Sequence, residues 1–132
     1  MDRLNNKESP VFLLRLEAVS WFLLTLYLYH YFQGSWVQFL ALFFVPDISL
    51  AGYLFGPKKG AFLYNALHSE IGPVLLAGCG LIFGLPALLA YALIWLCHIG
   101  FDRMLGIGLK YPDGFKHTHL GMISFGQRAC EK

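Results

Sequence analysis

The stretch PALLAYALIWLCHIGFDRML, residues 86–105, decides the fold class. Nothing from Pro86 to Cys97 is charged, and His98, Asp102 and Arg103 then follow in close order. At a rise of 1.5 Å per residue, a helix of this length spans about 30 Å, the thickness of a bilayer's hydrocarbon core. Three similar stretches precede it, from about Val11 to Phe32, Trp36 to Phe55 and Gly60 to Phe83. Only Gln33-Gly34-Ser35, Gly56-Pro57-Lys58-Lys59 and Gly84-Leu85 separate them. Connections this short make consecutive helices antiparallel neighbours. The expected fold is all-α: an integral-membrane, antiparallel four-helix bundle forming one domain over residues 1–132, with residues 106–132 as a tail.

Composition agrees. Apolar types make up 57% of the 132 residues and charged types 14%, against about 25% charged in a soluble domain. So small a soluble protein could not hide that much apolar surface. A soluble enzyme, a disordered chain and a nucleic-acid-binding module are excluded, and the lipid bilayer is the expected partner. The three cysteines have no paired spacing, which excludes a disulfide framework and a CxxC site. Arg15 and Glu17 interrupt the first stretch, which therefore reads as a span rather than a cleaved leader.

Charge sets the expected orientation. The ten Lys and Arg residues fall in three regions. Arg3, Lys7 and Arg15 lie at the start of the first stretch, Lys58 and Lys59 between the second and third. Arg103, Lys110, Lys116, Arg128 and Lys132 end or follow the fourth. Four antiparallel spans put all three regions on one side, and the positive-inside rule makes that side cytoplasmic, with both termini there. Tyr27, Tyr29, Tyr31 and Trp36 then mark the outer boundary, and Tyr53, Tyr64 and Tyr111 the inner one. Lys110 and Lys116 are expected among anionic lipid headgroups.

Ionisable groups inside spans are the informative residues, because each costs about 2.5–3.5 kcal/mol at the bilayer centre. Here they are Glu17, Asp47, His68, Glu70, His98 and Asp102, with Arg15 and Arg103 near the ends. Counting from the cytoplasmic ends puts them about 5–12 Å below that boundary. All four spans contribute to this one layer. His98 and Asp102, at i and i+4, share a helix face. Tyr64 and Asn65 accompany His68 on its face, while Glu70 is turned about 200° away, towards a helix partner or a subunit interface. Arg15 is placed to snorkel to the headgroups, leaving Glu17 as the inward group. Pro46 and Gly72-Pro73 flank the layer, where each would kink a helix and free a backbone carbonyl.

Pro46-Asp47-Ile48-Ser49, Gly52-Tyr53-Leu54-Phe55-Gly56-Pro57, Tyr64-Asn65-Ala66-Leu67-His68, His98-Ile99-Gly100-Phe101-Asp102-Arg103 and Gly108-Leu109-Lys110-Tyr111-Pro112 form an ordered motif set. From Leu13 to Met122 the chain resembles the bacterial membrane family catalogued as domain of unknown function 4260. The resemblance implies a small four-span protein of the bacterial inner membrane and implies no activity. The family pattern has an acidic residue where His117 stands, so the resemblance implies no essential role for that position. A weaker similarity, through Pro46-Asp47, His68 and His98-x-x-x-Asp102, is to inner-membrane metal-dependent hydrolases. Ser49 stands where their second aspartate would be.

Three functions compete. In the first, Asp47, His68, His98 and Asp102 hold a divalent transition metal that supports an intramembrane hydrolase or transferase acting on a lipid-like substrate. Two carboxylates and two imidazoles suit zinc, manganese or iron rather than calcium. Tyr64 and Asn65 would orient the histidines, Glu17 would act as general base, and Arg103 would hold a lipid phosphate. In the second, acids and histidines relay protons or a small solute, with a homo-oligomer completing the path. In the third, the same groups pair to glue the helices of an accessory subunit. His117-Thr118-His119 reads as a solvated tail segment rather than a chelating pair, since no further ligand is near in sequence.

Overall fold

A computed structural model describes residues 2–123, with side chains from Pro10 onward. Arg3, Lys7, Arg128 and Lys132 of the expected cation set lie outside the described side chains. The described chain is mainly helical. It runs through α1 (Asp2–Tyr31), α2 (Trp36–Leu42), a 3-10 helix (Val45–Phe55), α3 (Pro57–His68), α4 (Ile71–Ile82) and α5 (Pro86–Met104). A short antiparallel hairpin follows, β1 (His117–Thr118) with β2 (Gly121–Met122). Pro10 falls inside α1.

Pro10–Tyr31, Trp36–Phe55 and Pro86–Met104 are long and apolar enough to cross a membrane. Their outer faces are apolar too: Val37 and Leu54 are 80% and 85% exposed. Surface of that kind is costly in water and is what lipid solvates. The stretch from Gly60 to Phe83 forms two helices rather than one. α3 and α4 have 12 residues each, about 18 Å, too short to cross alone.

Both interruptions have a local cause. After α2 the chain tightens at Phe43–Phe44 and restarts as the 3-10 helix, with Pro46 in its first turn. After α3, Ser69 is extended (φ −85°, ψ 149°), and Pro73 lies early in α4. A helix's first turn has unpaired N–H groups, so a proline loses nothing there. The expected mid-helix kinks are thus clean breaks. They bring the start of the 3-10 helix, with Asp47, to the end of α3, with His68.

Small residues set the packing. A Cβ on Gly100 of α5 would lie 3.1 Å from the backbone nitrogen of Phe22, so glycine lets α5 close onto α1. Gly60 does the same for α3 under the Tyr53 ring of the 3-10 helix. The apolar core is Tyr29, Phe39, Phe43, Leu93, Ile94 and Cys97. The Tyr29 hydroxyl donates to the Ser35 carbonyl at 2.7 Å, so this buried phenol is satisfied.

The tail folds back on the helices. Gly106 (φ +86°) ends α5, while Ile107 N–H reaches the Asp102 carbonyl at 2.8 Å. This is the left-handed glycine stop that recovers a carbonyl left free at a helix end. Arg15 Nε donates to the Met104 carbonyl at 3.1 Å, so Arg15 also serves that end rather than reaching outward alone. Asn65 grips the returning tail. Its Nδ2 donates to the Lys110 carbonyl at 2.8 Å and its Oδ1 accepts from Lys110 N–H at 2.7 Å.

Candidate metal centre

Three elements deliver the expected ligand set. Asp47 comes from the first turn of the 3-10 helix, His68 from the last residue of α3, and His98 and Asp102 from consecutive turns of α5. One donor atom from each lies within 4.8 Å of all the others. The two Nε2 atoms are 3.2 Å apart. His68 Nε2 is 3.4 Å from Asp47 Oδ1 and 3.4 Å from Asp102 Oδ2. His98 Nε2 is 3.3 Å from Asp47 Oδ1 and 3.4 Å from Asp102 Oδ2. The N···O separations exceed the about 2.7–3.2 Å of a good hydrogen bond. They match a tetrahedral ion, whose bonds of about 2.0–2.1 Å hold ligands about 3.3–3.4 Å apart.

The surroundings aim the donors. His68 Nδ1 lies 2.9 Å from the Tyr64 carbonyl. A carbonyl only accepts, so Nδ1 carries a proton, and it is Nε2 that faces the centre, where a neutral ring would present its lone pair to an ion. The Tyr64 ring stacks on His68 with centroids 3.7 Å apart and an interplanar angle of 9°. Its hydroxyl donates to Asp102 Oδ2 at 3.3 Å. One residue thus orients both an imidazole and a carboxylate, the usual task of groups behind a ligand. His98 is 1% exposed, packed edge-on against Phe43. Its Nδ1 has no hydrogen-bond partner among the described residues. Asp47, 36% exposed at its side chain, is the open side of the cluster.

Other expected site residues lie elsewhere. Asn65 was expected beside a histidine; its amide serves the Lys110 backbone instead, because the returning tail occupies it on both edges. Glu17 and Arg103 are outside the four-residue cluster and line a separate cavity with Glu70 and His119. Glu70 pairs with Arg103 at 2.7 Å, outside the cluster. Helical phase does not set this, because α3 ends at His68 and Ser69 is extended, so the break separates the two residues. His117 pairs with exposed Asp113 at 2.7 Å, and His119 accepts from Leu109 N–H at 2.8 Å. The two tail histidines therefore serve different partners.

Lys110 is the residue sequence reasoning misplaced. It was expected among headgroups but is only 3% exposed. Its Nζ donates to the Phe115 carbonyl at 2.8 Å and lies 4.6 Å from the Tyr64 ring centroid. Burial holds its amine below the usual lysine range, against the pull of Asp102 and Asp47. Its place in the Gly108-Leu109-Lys110-Tyr111-Pro112 motif was the available signal. Nothing local in the sequence says that the tail returns.

An apolar groove of about 340 Å³ adjoins the centre. Its walls include Pro46 and Leu67, the chain neighbours of Asp47 and His68, and Ile94, one turn before His98. Neither curated proteins nor solved structures give a match to this chain. A family model does match, over residues 11–123, and carries every residue of the Asp/His cluster within its bounds. The chain belongs to the family described as Domain of unknown function (DUF4260).

Proposed function

We propose that Asp47, His68, His98 and Asp102 bind one divalent transition-metal ion within a membrane protein, and that the ion supports hydrolysis or group transfer on a lipid-like substrate. The observation that carries this reading is the set of donor separations. Five of the six fall between 3.2 and 3.4 Å: four N···O contacts, longer than a good hydrogen bond, and one contact between the two imidazole nitrogens. These five suit the edges of a coordination tetrahedron, and the sixth, between the carboxylates, is within 4.8 Å. Two carboxylates and two neutral imidazoles also balance a dication, which lets it reside below the membrane surface. Such an ion supplies Lewis acidity and lowers the pKa of a bound water.

Substrate approach fits the open side. Asp47 is the exposed member of the set, and the groove beside it is apolar. An apolar chain in that groove would bring an attached polar bond to the Asp47 side. Tyr64 would hold Asp102 and His68 in place throughout. The roles expected of Glu17 and Arg103 at this ion receive no support from their position in another cavity.

Elemental analysis of purified protein tests the reading. Close to one transition-metal ion per chain is expected, with loss of that ion in His98→Ala while helix content is retained. Metal-free wild type would overturn it. A metal-free hydrogen-bonded network is the second reading, favoured by the orphaned His98 Nδ1: a proton on Nε2 would leave only a lone pair unsatisfied there. The metal's identity separates catalysis from bracing. Four protein ligands on zinc leave no open position, whereas manganese or iron accepts further ligands.

Topology belongs to the same proposal. We read the chain as four antiparallel spans in the bacterial inner membrane, α3 and α4 together making the third, with both termini cytoplasmic. Reporter fusions after Gln33 and after Phe83 should report the periplasm; a cytoplasmic signal at either site would remove this topology.

A further inference from the structure

The cavity lined by Glu17, Trp21, Glu70, Arg103, His119 and Leu120 differs in kind from the metal centre. It has a volume of about 150 Å³ and draws its walls from α1, the α3–α4 break, α5 and the tail. Its charges are only partly matched. Arg103 Nη1 is bound to Glu70 Oε1 at 2.7 Å, while the other guanidinium donors have no partner among the described residues. Glu17 makes no hydrogen bond or ion pair with any described residue, although it sits within the apolar run Pro10–Tyr31. A carboxylate at that depth is costly without a cation. His119 Nδ1 accepts from Leu109 N–H at 2.8 Å. Burial and the neighbouring Arg103 charge keep its ring below the usual histidine range. The neutral ring therefore carries its proton on Nε2, a spare donor.

We infer that this cavity binds the zwitterionic headgroup of a phospholipid, with the phosphate held by Arg103 and His119 and the ammonium by Glu17 beside the Trp21 ring. The two halves of such a headgroup answer the two halves of the cavity. Arg103 offers planar N–H donors that suit phosphate oxygens, and His119 adds a neutral donor. Glu17 offers an unmatched negative charge, and an indole face attracts an ammonium. Counting Glu17 and Glu70 against Arg103, with His119 neutral, leaves one net negative charge. That balance rejects an anionic headgroup and accepts one that carries its own cation. The occupant is lipid-borne because Trp21 and Leu14 of the wall belong to the apolar run of α1. This inference does not rest on the metal reading.

The test uses the full chain in detergent with an equimolar mixture of phosphatidylethanolamine, phosphatidylcholine and phosphatidylglycerol carrying identical acyl chains. Native mass spectrometry reports which lipids stay bound. Wild type should retain each zwitterionic lipid over phosphatidylglycerol by about fivefold, the upper worth of one exposed charge pair. Glu17→Gln should abolish that preference and Glu17→Asp should keep most of it. Glu17 has no described protein partner, so neither variant disturbs packing. Equal retention of the three lipids by wild type, or an undiminished preference in Glu17→Gln, would overturn the inference. Metal content plays no part in the readout, so failure here and failure of the metal centre are distinguishable.

Discussion

Asp102 and Arg103 are adjacent in α5, yet they belong to two polar regions built on different principles. At Asp102, four donors that share no good N–O hydrogen bond converge on one point, and both histidines are almost fully buried. At Arg103, one direct ion pair of 2.7 Å is already made, its members are 24% and 43% exposed, and other donors are left over. On the readings proposed above, the first cluster takes a cation and the second a ligand with both signs. Helical rotation of about 100° per residue turns the two side chains to these different surroundings.

The strongest way to break this comparison is to remove one charge from each side. Asp102→Asn should lower metal affinity by more than about 100-fold, exceeding the about 10–100-fold cost of losing a group behind a ligand. Arg103→Gln should leave metal content unchanged. Isothermal titration of apo-protein with manganese or zinc measures both. Equal losses in the two variants would mean that the regions form one site.

A smaller effect sharpens the role of Tyr64. Tyr64→Phe removes the 3.3 Å bond to Asp102 but keeps the ring stacked on His68 and the backbone carbonyl on its Nδ1. A fall in metal affinity of about tenfold is expected, the low end for groups behind a ligand. No change would show that His68 alone is oriented from behind.

The smallest effect is in the tail. His119 has a folded-state pKa below its ordinary 6.5, so the unfolded tail binds the proton more readily. Its contribution to tail docking is therefore complete above pH 6.5 and declines as pH falls from there towards the lower folded value. Protonation also removes the lone pair that accepts from Leu109 N–H. The protection factor of the Leu109 amide, which corrects for the intrinsic slowing of exchange at lower pH, should fall between about pH 7 and pH 5, a range that spans the ordinary histidine value. In His119→Gln that fall should vanish. A protection factor that ignores pH in wild type would detach His119 from tail docking.

The sequence alone carried whatever depends on length and phase. About twenty mainly apolar residues imply a helix in lipid because nothing else satisfies the backbone there. His98 and Asp102 share a face because about 3.6 residues make a turn. Glu70 parts from His68 for another reason, the extended Ser69 between α3 and α4. Family membership was likewise legible in the ordered motifs from Pro46 to Pro112. Three features needed the tertiary structure. Pro46 and Pro73 could equally kink a helix or start one; only the packing of α3 on the 3-10 helix and of α4 on α5 decided for clean breaks. Asn65 lost its place beside a histidine because the tail returns to bond both edges of its amide. Glu17 and Arg103, 86 residues apart, came to share a cavity away from the Asp/His cluster, since rotation about each helix is set by its neighbours. Local pattern determines which face a residue occupies; what that face meets is decided by contacts distant in the chain.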